Sequence, residues 1–282
     1  MLFLHGGSYI TGSAHPSDFT SFLPGNSIHH SHKLRACLSV DYRLSSASPN
    51  PLANPFPAAL LDALSGFRYL LSLGISPGEI IIAGDSAGGN LALALCKYLV
   101  EAESLGPVLG GLVLLSPWSD LTDSHHYPDC SLYRNYKTDY LLGLEESMGS
   151  YSVHAYCGGV SPWCPWISPG SLRPGEPFPG SEEERAQIYV GAEDWDDASF
   201  LHWPRTLLIP GSVEMIIDEI RTLKGKMMRD RVRLTYREWE GCPHDFMTMW
   251  FMEPERTQML RFIGAWIDGE VNEEIATGET TD

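Results

Sequence analysis

Two short stretches of this 282-residue chain carry residue types at spacings that can do chemistry. The first is Gly84-Asp85-Ser86-Ala87-Gly88-Gly89, which follows the apolar run Ile80-Ile81-Ile82 and precedes an Ala/Leu-rich segment. A Gly-x-Ser-x-Gly turn between strand and helix lifts a serine hydroxyl clear of the backbone, at a helix end whose dipole favours developing negative charge. Ser86 is therefore the expected nucleophile. The second stretch is His5-Gly6-Gly7-Ser8-Tyr9, at the end of another apolar run. Attack on an ester carbonyl produces a tetrahedral oxyanion, which needs two or three backbone N–H donors aimed at one point. A Gly-Gly turn can present them because no side chain stands in the way. Alone each motif is common; together they predict acyl transfer.

The elements that must position these residues are legible from periodicity. Leu2 to Leu4, Arg35 to Tyr42, Glu79 to Gly84, Gly110 to Ser116, Arg205 to Gly211 and Arg231 to Trp239 read as strands. Pro57 to Leu73, Ala87 to Val100, Val213 to Met228 and Pro254 to Trp266 read as helices. Strands alternating with helices predict an α/β fold with a mostly parallel sheet and flanking helices. The alternation fails between Trp118 and Trp203, a stretch rich in Pro, Gly, Trp and Tyr that includes Glu182-Glu183-Glu184. Connections are normally short, so this length reads as an inserted lid. The expected organisation is a core over 1–118, an insertion over 119–203, a second core part over 204–271 and a frayed acidic tail over 272–282.

The motifs, taken with Asp41-Tyr42-Arg43-Leu44, Phe56-Pro57-Ala58-Ala59, Asp62, Ser116-Pro117-Trp118, Trp203 to Leu207 and Gly211 to Glu219, resemble the hormone-sensitive-lipase family of α/β-hydrolases. That resemblance implies an α/β-hydrolase fold and a nucleophile–acid–base order along the chain. It places the base on His244, in Cys242-Pro243-His244-Asp245-Phe246. The acid falls on Glu214 of Gly211-Ser212-Val213-Glu214, where the family usually carries aspartate; Asp218, one turn further along the expected helix, is the rival. The oxyanion hole is expected from Gly6, Gly7, Ser8 and Ala87, with Ser8 standing where many relatives have a third glycine. His29, His30, His32, His125 and His126 read as solvated. Such relatives also carry two strands and a helical cap ahead of His-Gly-Gly, whereas here Met1 lies four residues before His5. The first strands and amino-terminal cap are thus expected to be missing, through a truncated gene model, a minimal enzyme or an inactive remnant. An apolar strip at that edge, with homodimer formation or aggregation, is the expected consequence.

Composition sets the outer bounds. With 19 Lys+Arg against 36 Asp+Glu the net charge is −17, which opposes nucleic acid and anionic membranes as partners. At 43% hydrophobic residues a buried core is assured. No apolar run reaches the ~20 residues of a transmembrane helix. The six cysteines form no Cys-x-x-Cys pair and read as mostly buried thiols, with a Cys157–Cys164 bridge as the alternative, and neither metal nor cofactor is expected. The first eighteen residues lack a signal-peptide pattern, which predicts a cytoplasmic protein. The expected activity is a serine carboxylesterase acting on a small-molecule ester, with Trp163, Trp166, Tyr151, Tyr156 and Phe178 walling an apolar pocket. An arylformamidase-type amide hydrolase shares both motifs. A ligand-binding relative like the plant gibberellin receptors is disfavoured by His244, since those lose the histidine.

Overall fold

The computed structural model describes residues 1–141, 150–173 and 195–271. Glu182-Glu183-Glu184, Phe178 and the acidic tail lie outside the described residues. Six strands form one sheet: β1 (Leu2–Leu4), β2 (Leu38–Val40), β3 (Ile81–Asp85), β4 (Gly111–Leu115), β5 (Thr206–Ile209) and β6 (Leu234–Tyr236). Their order is β2-β1-β3-β4-β5-β6, and every neighbouring pair is parallel. The helices are α1 (Phe22–Ser27), α2 (Ala58–Ser72), α3 (Ser86–Glu101), α4 (Ser131–Arg134), α5 (Ser150–Cys157), α6 (Ile217–Arg229) and α7 (Glu255–Asp268).

Parallel strands covered on both faces must be apolar throughout, and β1, β3, β4 and β5 are buried at every residue. Side chains alternate across a strand, so one run feeds two cores. Leu2, Leu4, Ile82, Leu112, Leu114 and Leu208 face the cluster built on α2, α3 and α6. Phe3, Ile81, Ala83, Val113, Leu207 and Ile209 face the cluster built on α7, around Ile263 and Trp266. At the sheet edge, Leu38, Ser39 and Val40 of β2 are each half-buried.

Two boundaries differ from expectation in ways that matter. The expected strand over Arg35–Tyr42 contracts to three residues. The expected helix from Val213 begins only at Ile217, because the 213–216 segment turns to aim Glu214 inward and its backbone is held by the insertion. Among the described residues no helix is long and apolar enough to cross a membrane. All six cysteines are unbridged, including the buried pair Cys157 and Cys164.

Candidate active site

Every residue of the expected site follows the carboxyl end of a strand. β1 runs into His5-Gly6-Gly7, β3 into Ser86 and β4 into Ser116; Glu214 lies beyond β5 and His244 beyond β6. A parallel sheet gathers these loops at one edge, the usual place for a site in such folds.

The turn at Ser86 is tight. Ser86 has φ 49°, a left-handed conformation that costs a non-glycine residue energy and persists only where neighbours impose it. The neighbours do so by close approach: a Cβ on Gly88 would lie 2.0 Å from the Leu4 carbonyl oxygen and 2.5 Å from that of His5. Gly88 therefore lets α3 sit directly against β1. Gly88→Ala is expected to destabilise the protein by about 3 kcal/mol, although alanine in a helix ordinarily stabilises. Urea unfolding measures this, and an unchanged or raised midpoint would refute the packing argument.

The relay is continuous. His244 Nε2 lies 2.9 Å from Ser86 Oγ, and His244 Nδ1 lies 3.1 Å from Glu214 Oε2. Glu214 is fully buried; its other oxygen accepts from Ser116 Oγ at 2.6 Å and from the Gly211 N–H. The rival carboxylate is engaged elsewhere. Asp218 accepts from the Ser131 N–H at 2.8 Å and pairs with Arg134 at 2.9 Å. The longer glutamate side chain is accommodated because the loop beneath it is clamped from the insertion: Asn135 Nδ2 donates to the Glu214 carbonyl, Thr138 Oγ1 to that of Val213, and the Met215 N–H donates to Asp139 Oδ2. Such a chain can take a proton from a serine hydroxyl and stabilise the imidazolium that results.

Beyond β1, the strand that pairs with β3, Gly7, Ser8 and Tyr9 follow one another at φ 109°, 54° and 64°. Only glycine fits at position 7, since a Cβ there would lie 2.3 Å from the Thr11 carbonyl oxygen. The N–H groups of Gly7 and Ser8 donate to none of the described residues, and that of Ala87 lies in the first turn of α3, where helix N–H groups lack intrahelical acceptors. Gly6 departs from expectation: its N–H donates to Asp85 Oδ1 at 3.1 Å, so it is not free to face an oxyanion. A buried carboxylate at the strand end takes the nearest donor. Tyr9, which the motif alone did not single out, braces this loop. Its hydroxyl donates to Asn90 Oδ1 at 2.7 Å, and Asn90 Nδ2 donates to the Trp118 and Ile167 carbonyls.

Electrostatics at the site are dominated by carboxylates. Burial disfavours a charged His244, but Asp245, then Glu214, outweigh it and push its pKa up to about 10. Burial raises Asp245 to about 7 against the pull of His244. Asp85 is raised well above the carboxylate range by burial and then by Asp245. His5, stacked on Tyr42 with centroids 4.2 Å apart, is lowered by burial.

A cavity of about 590 Å³ is lined by residues that adjoin the relay in sequence or by backbone contact, and by none of Ser86, His244 and Glu214 themselves. Its wall includes Trp118, whose N–H donates to the Ser86 carbonyl, Met215 and Ile216 next to Glu214, and Val153, Val160 and Trp163 from the insertion. Three expectations about the insertion need correction. Tyr156 is core rather than pocket wall, stacked on Tyr9 at 3.5 Å between centroids. Tyr151 and Trp166 do not line the cavity; the Tyr151 hydroxyl meets the Ala47 backbone and Trp166 lies under Lys97. His125 is buried rather than solvated, with Nδ1 2.7 Å from Asp120 Oδ2 and Nε2 2.9 Å from Thr222 Oγ1. It pins the insertion to α6 because its neighbour Asp120 needs a buried partner. Among the described residues, the group able to hold a metal ion is His32, Asp268 and Glu270, none of which belongs to this site.

Comparison with known proteins agrees with this architecture. The alpha/beta hydrolase fold family matches residues 1–248. An acetyl-hydrolase of Streptomyces hygroscopicus is 28% identical over 279 residues, spanning 99% of this chain and 76% of its own. An esterase of Acinetobacter venetianus is 30% identical over 261 residues, spanning 91% and 70%. Among solved structures, a hormone-sensitive lipase from a metagenome library superposes with a TM-score of 0.72 at 29% identity, over 96% of this chain and 77% of that one. EstE5 soaked with p-nitrophenyl butyrate gives a TM-score of 0.72 at 26% identity, over 95% and 76%.

Proposed function

Because this chain belongs to the α/β-hydrolase fold family, as a hormone-sensitive-lipase-like, carboxylesterase-type hydrolase, we propose that it cleaves small or medium carboxylic esters through an acyl-enzyme on Ser86. The observation that carries this reading is the unbroken Ser86–His244–Glu214 relay. His244 Nε2 takes the Ser86 proton as Oγ bonds to the ester carbonyl carbon, and the carbonyl electron pair moves to the oxygen. Gly7, Ser8 and Ala87 N–H groups hold that oxyanion. Collapse breaks the bond to the alkoxy oxygen, which leaves with the proton from His244. A water, deprotonated by the same imidazole, then releases the acid.

Glu214 orients the ring and balances its positive charge from the Nδ1 side. The cavity past Trp118 and Met215 receives one arm of the ester. The names of two relatives, the esterase of Acinetobacter venetianus and the esterase LipU of Mycobacterium tuberculosis, favour an ester, whereas acetyl-hydrolase names the acyl group and not the bond broken. The test is hydrolysis of p-nitrophenyl acetate beside p-nitroacetanilide: turnover of the ester with none of the anilide is expected, and anilide turnover at a comparable kcat/KM would reverse the assignment. Filling the cavity by Val153→Trp is expected to cut kcat/KM for the hexanoate ester about tenfold while sparing the acetate, the scale set by a misfit of one or two methylenes. Equal losses on both esters would place the substrate arm elsewhere.

A further inference from the structure

The imidazole of His244 is flanked by two carboxylates, and the relay uses only one. Asp245 Oδ2 lies 3.3 Å from His244 Nε2, little further than Ser86 Oγ at 2.9 Å. The nitrogen that must accept the serine proton thus has a hydrogen-bond partner in Ser86 Oγ and a carboxylate oxygen close beside it. Asp245 is fixed in that place. Its φ is 46°, its N–H donates to Ser116 Oγ at 3.3 Å, and the same hydroxyl donates to Glu214. Ser116 therefore ties together the carboxylates on both sides of the ring. Asp245 is 5% exposed, and its Oδ1, like Oδ2 of Asp85, is buried without a hydrogen bond to any described residue. A turn that needed only shape would not retain a desolvated carboxylate with an empty oxygen, because burying one is costly.

Taking Ser86 as nucleophile and His244 as its base, we infer that Asp245 is a positioning residue that sets the pH at which His244 becomes a free base. When Nε2 carries a proton, it is directed at Ser86 Oγ, and the negative charge of Asp245 Oδ2, 3.3 Å away, holds the ring as an imidazolium. Raising the pH sends that proton to solvent and exposes the Nε2 lone pair. During attack the Ser86 proton arrives on Nε2, and Asp245 then stabilises the new positive charge. The two effects oppose each other: the carboxylate delays the base and strengthens it. The other groups around the ring are Glu214 at Nδ1, Asp139 and Tyr140 from the insertion, and Asp85 at the end of β3. Of the charges that raise the imidazole, Asp245 acts most strongly.

Asp245→Asn removes the charge and keeps a residue type that tolerates a left-handed backbone. The experiment follows the His244 ring nitrogens by ¹⁵N NMR against pH in the full chain, assigned by difference with His244→Gln, beside the kcat/KM profile for p-nitrophenyl acetate. The ring titration and the acid limb of the profile are both expected about 1–3 pH units lower in Asp245→Asn, with a lower plateau at high pH. If that variant does not fold, Asp245→Gly suits the same φ and carries the same expectation. A purely structural role would depress kcat at every pH and leave both midpoints in place, and that result overturns the inference. A ring midpoint that moves in a chain whose turnover survives Ser86→Ala leaves the Asp245–His244 coupling standing and overturns the serine reading instead.

Discussion

Ser86→Ala is expected to abolish ester turnover, lowering kcat by about 10⁴- to 10⁶-fold while the protein stays folded. The expectation follows from geometry. The hydroxyl is the group at the tip of the left-handed turn, and His244 Nε2 lies 2.9 Å from it. Removing one oxygen from a residue already 8% exposed leaves the turn and its glycine contacts untouched, so the urea midpoint should stay close to that of the parent. Because residues that act as one unit lose their effect together, His244→Ala on top of Ser86→Ala should cost little more. Turnover and unfolding measured on the same preparations check both halves. A variant that remains folded and retains a tenth of the parent rate would remove Ser86 from the reaction.

The second large effect separates two carboxylates four residues apart. Glu214→Gln keeps the shape but removes the charge facing His244 Nδ1 and turns one of two accepting oxygens into an NH2 donor, and is expected to lower kcat by about 10⁴-fold. Asp218→Asn is expected to leave kcat within about threefold, yet to cost about 1–2 kcal/mol of stability. Its carboxylate holds the Ser131 N–H and Arg134, and so ties the insertion to α6. The activity assay therefore separates the two variants, and urea unfolding checks the stability cost of Asp218→Asn. A kcat collapse in Asp218→Asn with Glu214→Gln near normal would move the acid to Asp218.

Much of this site could be read from spacing. Ser86 announces itself because a sharp turn needs small neighbours at fixed offsets, and those offsets are written in Gly84, Gly88 and Gly89. His244 and Glu214 follow instead from the resemblance to the hormone-sensitive-lipase family, which places the base before Asp245-Phe246 and the acid three residues beyond Gly211. What spacing could not reveal is who satisfies whom across the sheet ends. Gly6 reads as an oxyanion donor until Asp85, 79 residues away, is seen to take its N–H. His125 reads as a surface histidine because its segment is polar, yet Asp120 and Thr222 bury it. Tyr156 reads as pocket lining because it is aromatic and lies in an insertion, and only the stack on Tyr9 makes it core. The apolar residues from Val213 to Ile216 read as the first turn of α6, yet the helix begins at Ile217 because the preceding segment turns Glu214 inward. Asp245 was in plain view beside the expected base. Its distance to Nε2, not its presence, gives it a role.

Ser86, activated by His244, is expected to become covalently acylated. The most direct measurement is intact-protein mass spectrometry after exposure to paraoxon, followed by peptide mapping. One diethylphosphoryl group per chain on Ser86 is expected, with none on Ser86→Ala and labelling at least about a hundredfold slower on His244→Ala, the scale of a lost general base. A protein that hydrolyses p-nitrophenyl acetate yet remains unlabelled at Ser86, or carries the label on another residue, would contradict the account.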